Sequence, residues 1–328
     1  MNVAHRRLLM PTLALVSVGA LLAGCAQEQA ATETPAASEE APAEEAPAEE
    51  APVAEEPPAE GDANVMEEAP VMEESILPPE CAKENLTLIT PGTLTIGTDS
   101  PAYPPYFADD DPTNGQGFES AVAYAVADGL GFTADEVTWT VVPFNKSYAP
   151  GDKAFDFDIN QISITPERAE AVDFSDGYYT VNQAVVALND SAVASATTLA
   201  ELQKAKLGAQ VGTTSLAFIT DVVAPEAEPF VYNDTNDAKS ALQNGQIDAI
   251  VVDLPTAYYI TAVEIENSKI VGQFPAQEGG EQFGLLFEKG NPLVGCVNTV
   301  LADLSASGEL QAIQDEWLAG AAAPYIKE

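Results

Sequence analysis

The residues "ISITPERAEAVDFSDGYY", 162–179, hold Arg168, and apart from Arg6 and Arg7 the chain has no other arginine. A guanidinium is a planar fork of N–H donors that grips a carboxylate or a phosphate with paired hydrogen bonds, a geometry lysine lacks. Other polar residues stand in comparable places: Asp99 after "TLTIGT", Ser163 just ahead of Arg168, Thr213 and Thr214 after "GAQVG", and Asp253 closing "QIDAIVVD". Each follows a strand-like run, and in open α/β sheets ligands bind outside the carboxyl ends of strands. The turn at Thr213 leads into a helix, whose free N–H groups and dipole favour an anion. A free α-amino acid carries the matching charges. Its carboxylate suits Arg168 and the Thr213–Thr214 turn, and its ammonium suits Asp253 and the Ser163 hydroxyl. Each charge-assisted hydrogen bond of this kind is worth about 1.5–3 kcal/mol.

Plainer roles are open to the same residues. Arg168 can pair with Glu170 or Asp173 on its own segment. Thr213 can be an ordinary helix cap, as can Asp253 ahead of Leu254-Pro255. "ADDDP" at 108–112 lacks the glycine and glutamate spacing of a calcium loop, and the tyrosines and Phe144 suit a core as well as a ligand platform. The only histidine is His5, in a leader expected to be removed. Without it, histidine-based triads and the commonest zinc ligand are excluded, and carboxylate and lysine chemistry remain. No metal and no cofactor is expected.

Short β-rich runs alternating with helix-like stretches must position these groups, a pattern of parallel sheets joined by crossover helices. "TLTIGTD", "VTWTVVPF" and "FDFDINQISI" are expected strands. "GFESAVAYAVADGLGF" has apolar residues at helical spacing and glycines that stop it. From "KLGAQVG" a second, smaller series begins, and "KIVGQF", "FGLLFEK" and closing helices complete the chain.

The 328 residues carry a formal net charge of −40. "MNVAHRRLLMPTLALVSVGALLAGC" has a basic start and a short apolar run ending in Leu-Ala-Gly-Cys, which reads as an export signal over 1–25. Its close resembles a lipobox, with Cys25 as the lipid-bearing residue. The alternative is an uncleaved anchor helix. Residues 26–80 hold 17 of the 52 acidic side chains and no lysine or arginine, in degenerate Ala-Pro-Ala-Glu-Glu repeats. Proline and like-charge repulsion make this an extended tether. The remainder keeps 52 − 17 = 35 acids against 10 bases, near −25, which argues against nucleic acid as a partner. With Cys25 lipidated, Cys81 and Cys296 remain as an expected disulfide, the alternative being two buried thiols.

From about residue 83 onward the chain resembles the extracellular solute-binding proteins of family 3, the amino-acid receptors of ABC importers. The matching stretches are "LTIGTDSPAYPPYF", "GFESAVAYAVADGLGF", "SITPERAEAVDFSDGYY", "LGAQVGTTS" and "GQIDAIVVDLPTAYY", in the family's order. The resemblance implies an α/β, two-lobed periplasmic-binding-protein type II fold that closes on its ligand. Lobe 1 is discontinuous (81–185 and 273–328), lobe 2 (186–272) is inserted, and the hinge is crossed twice. It also implies Arg168, Thr213 and Thr214 at the ligand carboxylate, Ser163 and Asp253 at its ammonium, and Asp99, Tyr103 and Tyr106 near its side chain, with Phe144 and Gln161 beside them. "DSPAYPPYF" is one residue longer than the usual spacing, Glu119 stands where aspartate is common, and Asp158 and Gln161 replace small residues. A polar or cationic ligand side chain, glutamine-like or basic, is expected. So is a monomer held by a lipid anchor at the outer face of the bacterial cell membrane, delivering a free amino acid to an ABC permease. The rivals are a dehydratase or lyase using Glu119, Asp156 or Asp158, and a ligand-sensing envelope lipoprotein.

Overall fold

A computed structural model describes residues 77–274, 280–318, 320 and 322–327. The expected export signal, Cys25 and all but the last four residues of the expected tether lie outside them. Ahead of the expected boundary at 81, Leu77 packs against the first core, and Pro79–Cys81 forms a 3₁₀ turn.

Among the described residues, ten strands form two five-stranded sheets. The strands are β1 (Leu94–Thr98), β2 (Val137–Val141), β3 (Phe157–Asp158), β4 (Val172–Val181), β5 (Gln183–Leu188), β6 (Leu207–Gln210), β7 (Phe230–Tyr232), β8 (Ala249–Asp253), β9 (Ser268–Gln273) and β10 (Glu281–Glu288). One sheet has the order β2-β1-β3-β10-β4 and the other β7-β6-β8-β5-β9. The expected all-parallel sheets are in fact mixed. β10 runs antiparallel to β3 and β4, and β5 antiparallel to β8 and β9, because the strands at each lobe crossing re-enter from the opposite end.

The helices are α1 (Phe118–Gly129), α2 (Phe144–Ser147), α3 (Pro166–Ala171), α4 (Leu199–Leu202), α5 (Thr214–Phe218), α6 (Thr235–Gln243), α7 (Leu254–Tyr259), α8 (Leu293–Ser307) and α9 (Glu309–Trp317). α5 and α7 each continue as a wider π-type turn, so the expected helices over 213–223 and 254–263 hold with loosened ends. Gly117 starts α1 with φ +97°, and a Cβ there would lie 2.4 Å from the Tyr106 carbonyl oxygen, so only glycine brings the preceding loop this close.

Every residue of β1 is buried, because helices cover both faces of a central strand. One core packs α1 and α8 against the first sheet, and a smaller cluster around Phe144, Phe155 and Ile162 fills its other face. The second sheet has an apolar cluster on each side. The chain leaves the first sheet after Val181 and enters the second at Gln183, then returns between Gln273 and Glu281. These crossings lie near, but not at, the expected 185 and 272.

The assignment of 273–328 wholly to lobe 1 needs correction. After α9 the tail crosses to the second sheet: Ile326 N donates to Gln273 O at 2.8 Å, Lys327 N donates to Thr197 O at 2.8 Å, and Ile326 is buried in a lobe 2 cluster. Burial of that side chain against Gly272 is the physical reason, since a Cβ at 272 would meet Ile326 at 2.7 Å. The chain thus passes between the lobes a third time.

Cys81 and Cys296 are joined, with Cα atoms 5.4 Å apart at a sequence separation of 215, tying the segment ahead of β1 to α8. Replacing both with serine is expected to lower the unfolding free energy by up to about 5 kcal/mol, the chain-entropy value for so long a loop. Denaturant melts measure this, and alkylation of both thiols in the unreduced native protein would count against it.

Candidate functional site

The sequence places polar groups after strands, and the folded chain brings most of them to one cleft between the lobes. Asp99 follows β1. One of its oxygens accepts from Ser100 N and the other from Phe144 N at 3.1 Å, so the carboxylate anchors the start of α2. Thr165 caps α3 by accepting from Arg168 N at 3.2 Å, which orients the arginine out of the first turn of that helix.

Arg168 is 8% exposed. Its Nη1 donates to the Ser163 carbonyl at 2.7 Å in lobe 1, and its Nη2 donates to the Gly212 carbonyl at 2.9 Å in lobe 2. The rings of Tyr148 and Phe144 lie 4.8 and 5.5 Å from the guanidinium carbon. The alternative pairing with Glu170 or Asp173 is not what forms, since Asp173 pairs with Lys289 at 2.8 Å and the guanidinium turns into the cleft. Burial disfavours its charge, whereas Tyr148, Glu281 and Asp253 favour it.

Thr213 is the cap of α5: its hydroxyl accepts from Leu216 N at 3.1 Å and donates to Gln210 O at 2.8 Å. Thr214 Oγ1 lies 3.3 Å from Ser163 Oγ, across the cleft. Asp253 stands at the cap position of α7 without capping it. It accepts instead from Gln183 Nε2 at 2.7 Å. Burial, and then the Glu281 charge, push its carboxyl well above the usual range, against the pull of Gln183 and Arg168.

An inner cavity is lined by Asp99, Tyr103, Phe144, Asn160, Gln161, Thr213, Thr214 and Asp253, among others. Arg168 borders an adjoining, more open hollow with Tyr148, and Thr213 and Thr214 line both. Tyr106 does not reach the cavity. It is 1% exposed in the first core, packed on Phe283, and only its hydroxyl approaches lobe 2, accepting from Thr256 Oγ1 at 3.2 Å. The expectation for Tyr106 is corrected on that ground, and Tyr103, three residues earlier, takes the wall position.

Two residues of the cleft were missed. Glu281 accepts from the Ser163 hydroxyl and, at 3.0 Å, from Gln183 Nε2. Gln183 also receives Ser215 Oγ at 2.6 Å. The signal for Gln183 was a polar residue opening the otherwise apolar run "QAVVAL". Glu281 has the same place in "EQFGLLFE".

The carboxylates of the enzyme rival are not in the cavity wall. Asp156 accepts from Thr95 N and Ile89 N, bracing the chain ahead of β1. Glu119 is buried under Gln161. Asp158 is buried with no hydrogen bond to either oxygen, and its Oδ2 would lie 2.6 Å from a Cβ at Gly97. Among the described residues no group of three or more His, Cys, Asp or Glu is placed to hold a metal ion. Asp110 and Asp111 of "ADDDP" instead accept from Ala102 N and Thr113 N.

The family model of the bacterial extracellular solute-binding proteins, family 3, matches residues 94–320. The arginine-binding extracellular protein ArtP of Bacillus subtilis is 28% identical over 235 residues, 69% of this chain and 86% of the relative. The ABC transporter arginine-binding protein 1 of Escherichia coli is 30% identical, over 66% of this chain and 88% of its own. Among solved structures, an ancestral arginine-binding protein bound to glutamine has a TM-score of 0.60 at 29% identity, covering 70% of this chain and 100% of that one. An ancestral amino acid-binding protein described as a precursor of cyclohexadienyl dehydratase has a TM-score of 0.58 at 30% identity, covering 70% and 96%.

Burial first, then Glu119 and Asp99, hold the Asp158 carboxyl well above the usual range, with Lys153 opposing. A carboxyl raised in the folded state contributes most at low pH, and that contribution is lost as pH rises through its folded value. Asp158→Asn is therefore expected to raise the unfolding free energy at about pH 8 by at least about 1 kcal/mol and to flatten its decline from about pH 4. Denaturant melts across that range test this, and a variant less stable than wild type at the upper end would contradict it.

Proposed function

Because this chain belongs to the bacterial extracellular solute-binding proteins of family 3, we propose that it captures an L-amino acid with a polar or cationic side chain, glutamine-like or basic, between its lobes and passes it unchanged to an ABC permease. One observation carries this reading: Arg168 from lobe 1 and Asp253 from lobe 2 border adjoining hollows of a single cleft.

Arg168 spends two of its five donors on backbone carbonyls, leaving three for a carboxylate placed over the Thr213–Thr214 turn. Asp253 supplies the opposite pole for an ammonium, supported by Ser163. Asp99, Tyr103, Phe144 and Gln161 then face the side chain, and Asp99 favours one that donates hydrogen bonds. The relatives whose names refer to arginine, and the ancestral protein bound to glutamine, support this class of ligand.

Arg168 joins the two lobes through Ser163 O and Gly212 O, so a ligand held by it and by Asp253 is held from both sides at once. Closure then excludes water and strengthens each charged contact. Transport binding needs no more than this, and the reading is of a binding protein without catalysis. The neighbour described as a dehydratase precursor keeps the enzymatic alternative testable. Cys25 is proposed to carry a lipid that holds a monomeric receptor at the outer face of the cell membrane, with 26–80 as its tether.

A thermal-shift screen of the twenty amino acids is expected to give its largest shifts with polar or cationic ones, since a ligand that binds only the folded state stabilises it by mass action. Arg168→Ala is expected to weaken calorimetric affinity by at least about 100-fold with the fold intact. Undiminished affinity would remove the clamp, and conversion of a bound amino acid into product over hours would favour the enzyme.

A further inference from the structure

Gln161 lines the cavity yet is tied from behind. It adopts φ +48°, a left-handed backbone that non-glycine residues rarely take. Its backbone N donates to Glu119 Oε1 at 2.7 Å, and its side-chain Nε2 donates to Glu119 Oε2. Glu119 Oε1 also accepts from the Tyr178 hydroxyl. One fully buried carboxylate in the first turn of α1 thus gathers three donors from the loop after β3 and from β4.

We propose that Gln161 reads hydrogen-bond donors on the captured side chain through its Oε1, and that Glu119 is the positioning residue that turns this end of the amide toward the cavity. The inference rests on the amino-acid capture proposed above and adds how the side chain is selected.

An ionised carboxylate only accepts, so Nε2 is drawn to it and Oε1 is left as the free end of the amide. A proton on Glu119 Oε2 presents an O–H toward the amide, which the amide satisfies only by rotating Oε1 inward and Nε2 outward. The free end then changes from acceptor to donor, and a donor-bearing side chain loses its partner. Burial raises Glu119 to about 7, with Tyr178 and Gln161 opposing the rise. The Glu119 charge in turn bears on Tyr178 on β4, Tyr106 in the loop before α1, Asp158 on β3 and Asp253 on β8, and none of them is cationic.

The test is calorimetric titration of the full-length protein with L-arginine and with L-glutamine at pH values from about 5.5 to 8.5, a range in which neither side chain titrates. The tighter ligand is expected to bind about tenfold more strongly at the upper end, the worth of one good hydrogen bond. In Glu119→Gln the step near neutrality disappears and affinity stays low. In Gln161→Gly, where glycine suits the backbone, the same loss appears without pH dependence. Tyr178→Phe removes a bond that favours the ionised form, so the midpoint moves upward. Asp253 and Asp158 are also raised, so it is the loss of the step in these variants that assigns it to Glu119.

Wild-type affinity in Gln161→Gly, or an unchanged pH step in Glu119→Gln or Gln161→Gly, overturns the inference. Should Glu119→Gln not fold, Gln161→Gly and Tyr178→Phe decide. Binding of none of the twenty amino acids by the wild type would instead bring down the capture reading, and this inference with it.

Discussion

A buried guanidinium that donates to one carbonyl in each lobe is the contact on which the cleft depends. Burying a charge is costly unless hydrogen bonds and opposite charges surround it. Arg168 has both: two carbonyls, two aromatic faces, and the fields of Glu281 and Asp253. Its position follows from local chemistry, because Thr165 caps a short helix that opens with proline and the arginine falls on its third residue. That helix would have little stability alone. It is held by the sheet on which it sits and by the contacts its arginine makes across the cleft.

The acids of the cleft are arranged around this cation rather than paired with it. Gln183 donates from a single amide nitrogen to both Asp253 and Glu281, so two carboxylates from different lobes are kept close through a neutral bridge. Burial and the neighbouring Glu281 charge raise the affinity of the Asp253 carboxylate for a proton or another cation. An ammonium arriving there replaces a repulsion with two attractions. In the proposed capture, a ligand carrying only a carboxylate would meet Arg168 and leave the Asp253–Glu281 repulsion in place.

Much of this arrangement was legible before folding, for an identifiable reason. Arg168, Asp99, Thr214 and Asp253 stand just after β-rich runs, and in α/β sheets those positions converge on the binding crevice. What sequence alone left open was which of two plausible partners each residue would take. Asp253 looked like a cap and is not one, whereas Thr213 looked like a cap and is. The choice depends on whether a competing donor such as Gln183 arrives from another strand, and a pairing 70 residues away leaves no local trace. Tyr103 and Tyr106 illustrate the same limit. Both lie in one aromatic and proline-rich loop, and Gly117 decides between them by letting the Tyr106 backbone dock on α1, which draws that ring into the core. The ten-residue β4 was hidden because Asp173, Ser175, Asp176 and Gly177 break the alternation that marks a strand. Its pairing with β10 accommodates them through two register shifts.

Buried acids outside the cavity wall complete the physical picture. Asp156 is satisfied by two backbone N–H groups and braces the entry to β1. Glu119 is satisfied by three donors, whereas Asp158, at the end of β3, is satisfied by none. A fold that needed only stability would place an apolar side chain at 158, since Val142, Phe155 and Phe144 pack nearby. An acid there lowers the potential behind the cavity whenever it ionises, and Lys153 is the charge that opposes it. Fields reach through such an interior more strongly than through water, so a carboxylate one layer behind the wall still bears on what the wall can hold. Carboxyl groups thus stand in two layers here, with Asp99 and Asp253 lining the cavity and Asp158 and Glu119 buried outside its wall.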